Sequence, residues 1–299
     1  MIKDFELFEP RSTSKLLTLV NQYKSTAIII AGGTDLLPEM KRGTVVAPVL
    51  ISIRDIPELR RITCHPNKGL YVGAATTIHE IETSPVLKEY YPLLVQAASR
   101  LGSPQVRNQA TLGGNLCQAS PAGDMIPPSI ALGALLNVRS ISGQRSIRCE
   151  KFFKGPGQTV LKSGEVLTEI FFPPTNKNCH TAFVKFGRRE SVDLAIVNVA
   201  VWVRINKNNM CDDVRIVLGA VAPTTMRAHI AESLLKNKRL DNNLIQIAGN
   251  KVAEEVQPIS DLRASADYRM EMSKIITIRA LEATMTDYLR GGGEGKLTK

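Results

Sequence analysis

Two glycine pairs stand out in this 299-residue chain as groups whose type and placing could do chemistry. Gly32-Gly33 lies in "AIIIAGGTDLLPEMKRG" (27–43), directly after a short apolar run, and Gly113-Gly114 lies in "RNQATLGGNLCQASPAGD" (107–124). Glycine admits positive φ and lets a bulky anion approach with no Cβ in the way. Successive N–H groups then converge into a nest for phosphate oxygens. Thr34 and Asp35 follow the first pair and Asn115 the second, adding side chains that donate or accept hydrogen bonds. One glycine pair alone more often marks a tight turn. Two together would grip the two phosphates of a dinucleotide.

The pattern around the pairs supplies elements to hold them. "SKLLTLVNQY" carries an apolar stripe at Leu16, Leu17, Leu19, Val20 and Tyr23, predicting a helix before the strand "AIIIA". "PVLISI" follows about a dozen residues after the glycines as a further strand, so the start reads as a small α/β unit. "GLYVGAAT" predicts a strand, and Thr77 with Glu80 a capping box. Pro92 opens a helix that Gly102 is placed to stop. From 135 to 172 the pattern is extended, with a Ser142-Gly143 turn. "PPTNKNCH" (173–180) marks a boundary. Beyond it, "AIVNVAVWVRIN" and "DVRIVLGAVAP" predict a hairpin, followed by helices over 227–237, 242–256 and 266–289. The tail "GGGEGKLTK" reads as flexible.

Composition excludes several classes. With 43% hydrophobic and 22% charged residues, the chain is an ordinary globular sequence rather than a disordered or fibrous one. It has neither a spanning apolar run nor a signal-peptide core near its start, which predicts a cytoplasmic protein without a membrane span. Cys64, Cys117, Cys149, Cys179 and Cys211 are scattered without a CxxC pair, arguing against a disulfide framework, a zinc site or an iron–sulfur cluster held by this chain alone. His65, His79, His180 and His229 form no HExxH motif. No Rossmann or Walker fingerprint is present. The net charge of +10 is spread along the chain, and 5% aromatic content offers little for base stacking, so nucleic acid is not an expected partner.

Four segments, "AGGTDLL", "GSPQVRNQATLGGNLCQASPAGD", "FFKGPGQTVLKSGEVLTEIFFP" and "KFGRRESVDLAIVNVAV", resemble in order and spacing the FAD-binding medium subunits of the molybdenum hydroxylases, the xanthine dehydrogenase and carbon monoxide dehydrogenase family. The resemblance implies an α+β chain. Its FAD-binding PCMH-type domain, of the vanillyl-alcohol-oxidase type, covers 1–175, with α/β subdomains over about 1–56 and 57–175. A C-terminal domain of antiparallel sheet plus helices covers 176–290, and the tail is 291–299.

The resemblance also assigns FAD contacts. The pyrophosphate loop falls on Ile28, Ile29, Ile30, Ala31, Gly32, Gly33, Thr34 and Asp35, and the second loop on Ala110, Thr111, Leu112, Gly113, Gly114 and Asn115. An acidic ligand contact falls on Asp124, an aliphatic residue beside the flavin on Leu167, and a lysine near the flavin pyrimidine edge on Lys185. Asp124 could equally cap the helix that follows, Leu167 could be a plain core residue, and Lys185 could simply be solvated. Gln118 and Ala119 depart from the family's more acidic segment, and "NLCQASPAGD" lacks the cysteine-rich insertion that carries a 4Fe–4S cluster in some relatives.

The implied function is an oxidoreductase subunit that transfers electrons and names no catalytic acid or base of its own. FAD would be held without a covalent bond, while the molybdenum cofactor and 2Fe–2S clusters would sit on a large and a small partner chain. NAD is the expected acceptor. "GPGQ" and "ISDLRAS" resemble the xanthine and other N-heterocycle dehydrogenases. Carbon monoxide and aldehyde dehydrogenase subunits are the alternatives within the family. A freestanding FAD oxidase of the same fold, and a binding protein that merely keeps the glycine loops, are the alternatives outside it.

Overall fold

The computed structural model describes residues 2–175, 178–189 and 193–290; the expected flexible tail, 291–299, and part of the expected boundary segment lie outside the described residues. The first unit is a three-stranded parallel sheet ordered Glu6–Phe8, Val49–Ser52, Ala27–Ile30. The helix Thr13–Tyr23 packs Leu16, Leu19 and Val20 against it, as the apolar stripe requires. Ser12 caps this helix by accepting from Lys15 N.

A five-stranded antiparallel sheet forms the second unit, ordered Ile62–His65, Gly69–Gly73, Val166–Phe172, Leu135–Ser140, Gly143–Arg148. The predicted strand "GLYVGAAT" stops at Gly73, since Ala74 to Thr76 already turn toward the helix Ile78–Thr83. The capping box forms as expected, with Thr77 and Glu80 satisfying each other's backbone N–H groups. Pro92–Arg100 is helical, and Gly102 takes φ +50 just past its end.

The third unit is a four-stranded antiparallel sheet, Cys179–Phe186, Val197–Ile205, Cys211–Gly219 and Met226–Arg227, covered by the helices Asn242–Glu255 and Ala266–Arg290. The central strand alternates in two directions. Val197, Val199, Val201 and Val203 enter the core beneath the helices, whereas Ala200 and Trp202 join the core of the second unit. That two-sided burial fastens the third unit to the second and brings its strands to the rear of the glycine loops. Among the described residues, no helix is long and apolar enough to cross a membrane.

Candidate functional site

The strand Ala27–Ile30 runs out of the parallel sheet into a bare turn at Ala31 to Asp35, and the helix Leu36–Arg42 starts immediately after it. Gly33 adopts φ +67, a conformation that favours glycine. Among the described residues, the N–H groups of Gly32, Gly33, Thr34 and Asp35 have no protein acceptor. Consecutive free donors of this kind are what an anion nest requires.

The second glycine pair works differently. Gly113 and Gly114 are inside the helix Leu112–Gln118, and their N–H groups are already spent. Gly113 donates to the Ala74 carbonyl at 2.9 Å and Gly114 to its N-cap, Thr111 Oγ1, at 3.0 Å. A Cβ on Gly113 would lie 2.6 Å from Ala74, so this glycine permits close packing of helix on sheet rather than contributing a second nest. The sequence expectation of two equivalent phosphate loops is corrected on this point, because helix formation and packing use the donors first.

Both segments nevertheless border one cavity of about 800 Å³. Ile28, Ile29, Ile30, Ala31, Gly32, Gly33, Thr34, Asp35, Ala110, Thr111, Gly113, Gly114, Asn115, Asp124 and Leu167 all line it. Leu112 does not, being fully buried in the core of the second unit. Lys185 also lies outside the lining, one layer behind Asp124.

Asp124 is not a helix cap. The helix Ile126–Ala131 begins after Met125 without a side-chain cap, and Asp124 instead accepts from Lys185 Nζ at 2.6 Å and from Asn198 Nδ2 at 2.9 Å. Both partners of the ion pair are buried, with side chains 8% and 7% exposed, so Lys185 is not a solvated strand lysine. Burial pushes the Asp124 carboxyl up, while the ammonium and the amide pull the other way. Each carboxylate oxygen of Asp124 thus accepts from one donor of the third unit.

Leu167 is 3% exposed beside a register shift between Leu167 and Glu169, where the strand Val166–Phe172 bulges against Leu135–Ser140. Such a bulge re-aims side chains. Here the Leu167 region both joins the core and walls the cavity.

Sequence reasoning missed three parts of the wall. Leu161 to Val166 line it, held by Glu165, which accepts two bonds at 2.8 Å from Arg145 and one at 2.7 Å from Lys162 N. The Arg145 guanidinium holds the Glu165 carboxyl below the usual carboxylate range. The turn at Ser163-Gly164 carries no sequence signal for its place at the cavity. Gln118 Nε2 donates to Glu39 Oε1 at 3.0 Å, tying the helix after the second loop to the helix after the first. Asp193 and Leu194, from the third unit, complete the rim.

The donor set fits a dinucleotide. A run of free N–H groups faces a cavity within the usual range for ligand sites, about 300–1,000 Å³, and its remaining wall is largely aliphatic. Cys117 also lines it, and burial pushes its thiol up to about 12, leaving it protonated and unreactive at neutral pH.

Comparison with known proteins agrees with this geometry. Residues 3–175 match the FAD binding domain in molybdopterin dehydrogenase, and residues 182–284 match the CO dehydrogenase flavoprotein C-terminal domain. The chain is 34% identical to the carbon monoxide dehydrogenase medium chain of Hydrogenophaga pseudoflava, covering 93% of this chain and 96% of the relative. It is 30% identical to the putative xanthine dehydrogenase FAD-binding subunit of Escherichia coli, covering 85% and 87%. A solved carbon monoxide dehydrogenase from Hydrogenophaga pseudoflava superimposes with a TM-score of 0.92 over 96% of this chain and 99% of that one, at 34% identity. Quinoline 2-oxidoreductase from Pseudomonas putida superimposes at 0.89 over the same shares, at 31% identity. With a matched FAD-binding domain, a matched flavoprotein C-terminal domain and relatives aligned nearly end to end, the chain belongs to the FAD-binding medium-subunit family of the molybdenum hydroxylases.

Proposed function

We propose that this chain is the electron-transfer subunit of a three-chain complex. Electrons from a molybdenum centre on a large partner would cross 2Fe–2S clusters on a small partner, reach FAD in the 800 Å³ cavity, and leave to NAD or another acceptor. The carrying observation is that the free N–H groups of Gly32 to Asp35, Asp124 and Leu167 border one cavity, with Lys185 paired to Asp124 behind its wall.

FAD, when bound, supplies the redox chemistry, accepting electrons and passing them on in pairs. The chain's residues bind and tune it. The nest at Gly32 to Asp35 would hold pyrophosphate oxygens, with Ala110, Thr111 and Asn115 bordering the same space. Leu167 would cover a ring face and exclude water. The Lys185 ammonium would favour negative charge developing on the nearby pyrimidine edge. Burial keeps the Cys117 thiol from ionising, which supports non-covalent binding.

For the substrate, we infer an N-heterocycle of the xanthine type. Relatives named for xanthine, nicotinate, caffeine and nicotine support that class. The carbon monoxide and glyceraldehyde dehydrogenase medium chains, at 34% and 33% identity, support the alternative. Substrate contacts belong on the large chain, so the decisive experiment uses all three. The pure chain is mixed with candidate substrates and NAD, then the large and small chains are added. Substrate oxidation only in the full mixture supports the reading. Turnover by the lone chain would favour a freestanding oxidase, and absence of bound flavin would favour a non-catalytic protein.

A further inference from the structure

Asn198 is a polar residue near the start of an apolar strand, "VNVAVWV", and is fully buried. Its position in the register explains what it does. It stands directly opposite Lys185 on one neighbouring strand and Gly219 on the other. Directly opposed residues share a face of the sheet, and this face is turned toward the second unit, where Asp124 lies. Asn198 Nδ2 donates to Asp124 Oδ1 at 2.9 Å while Lys185 Nζ donates to Oδ2 at 2.6 Å, so two adjacent strands grip one carboxylate by both oxygens.

Two further observations show that the arrangement is built for that grip. Asn198 Oδ1 is buried with no hydrogen-bond partner among the described residues, which costs stability and gives no structural return. A residue kept only for packing would be apolar here, like its neighbours. A Cβ on Gly219 would lie 2.2 Å from Asn198 Oδ1, so the absence of a side chain at 219 makes room for the amide. Lys185 has three N–H donors. Asp124 takes one and the Arg100 carbonyl another, at 3.0 Å, leaving one uncommitted among the described residues.

We propose that Asn198 is a positioning residue. By fixing the Asp124 carboxylate it holds the Lys185 ammonium in register behind the cavity wall, and so sets the charge felt by bound FAD. This deepens the FAD reading above and rests on it. Loss of the amide frees Asp124 to rotate and draws Lys185 from its place, so FAD binds less tightly and its reduction potential falls in the same direction as when the Lys185 charge is removed.

The test compares the full chain with Asn198→Ala, Lys185→Met and the double variant, with Asn198→Ser as a smaller donor-keeping change should alanine fail to fold. FAD affinity is read by fluorescence quenching, reduction potential by spectroelectrochemistry, and stability by thermal unfolding of the FAD-free chain. The expected result is an FAD Kd about tenfold weaker for Asn198→Ala, as for a lost hydrogen bond to a charged group, with a lowered potential. The double variant should be no worse than Lys185→Met alone, because both act through one ammonium. Unchanged affinity and potential with only a lowered melting temperature would overturn the proposal, as would additive effects in the double variant. Failure of the underlying reading looks different: the unaltered chain would bind no FAD at all.

Discussion

A Cβ placed on Gly32 would lie 1.9 Å from the carbonyl oxygen of Gln109 and 3.0 Å from Ala110 N. The glycine after the strand Ala27–Ile30 thus meets the backbone entering the second loop. Gly33, one residue on, meets only the ends of Leu37 and Ile30, at 3.0 and 3.1 Å, but holds φ +67. The two neighbours should therefore fail differently. Gly32→Ala should destabilise the FAD-free chain by about 3 kcal/mol, as for forced overpacking against backbone. Gly33→Ala should cost about 1 kcal/mol through its left-handed backbone. Gly33→Val should lose FAD while the chain stays folded. Thermal unfolding of the FAD-free forms and flavin content by absorbance check all three, and equal melting temperatures for the two alanine variants would contradict the contact.

Gln118 and Glu39 make the second bridge between the loops, at 3.0 Å. Gln118→Glu would set two carboxylates against each other and lose a hydrogen bond to a charged group, a change of about 1.5–3 kcal/mol. FAD should dissociate faster, and the melting temperature of the FAD-free chain should fall by a few degrees. Stopped-flow release of the flavin measures it, and an unchanged off-rate would show that the bridge does not clamp the ligand.

Cys117 borders the cavity with its thiol pushed up to about 12 by burial. It therefore stays a thiol through neutral and mildly alkaline pH, and the thiolate needed for alkylation or for a flavin bond is absent. Acid precipitation should release all FAD into the supernatant. Iodoacetamide at pH 8 should label Cys117 in urea much faster than in the native chain, and flavin retained in the pellet would show a covalent link.

Asp261 accepts from Arg263 N, Nε and Nη2 and from Arg269 Nη2, and Arg269 is 1% exposed. Burial works against the charge, but the bonds from Arg263 and then Arg269 outweigh it and hold the Asp261 carboxyl well below the usual carboxylate range. A depressed folded pKa contributes stability that is complete above the unfolded value, about 3.9, and is lost as pH falls below it. Urea unfolding should show stability declining from about pH 4 downward. Asp261→Asn should cost about 3 kcal/mol at pH 7, since it strands a buried guanidinium, and should flatten the acid slope. A variant as acid-sensitive as the parent would remove Asp261 from that account.

Local physics makes much of this chain legible in one dimension. The stripe at Leu16, Leu19 and Val20, the box of Thr77 and Glu80, the turn expected at Ser142-Gly143 and found one residue earlier at Ile141-Ser142, and the Val197–Ile205 hairpin all depend on residues close in sequence, whose periodicity and capping chemistry act over a few bonds. The conformational freedom of Gly33 is likewise legible, because access to positive φ is a property of the residue itself.

Tertiary structure decided which donors remained available and which side chains met. Gly113-Gly114 looks equivalent to Gly32-Gly33 along the chain, yet a helix N-terminus and the Ala74 carbonyl take its N–H groups. Asp124 and Lys185 stand 61 residues apart, and Gln118 and Glu39 stand 79 apart. Neither pairing has a local signal, because each arises only when the third unit packs on the second or the two loops close on one cavity. Sequence determined the kinds of groups present; long-range packing determined their partners, since hydrogen bonds and ion pairs depend on distances of about 3 Å that no spacing along the chain encodes.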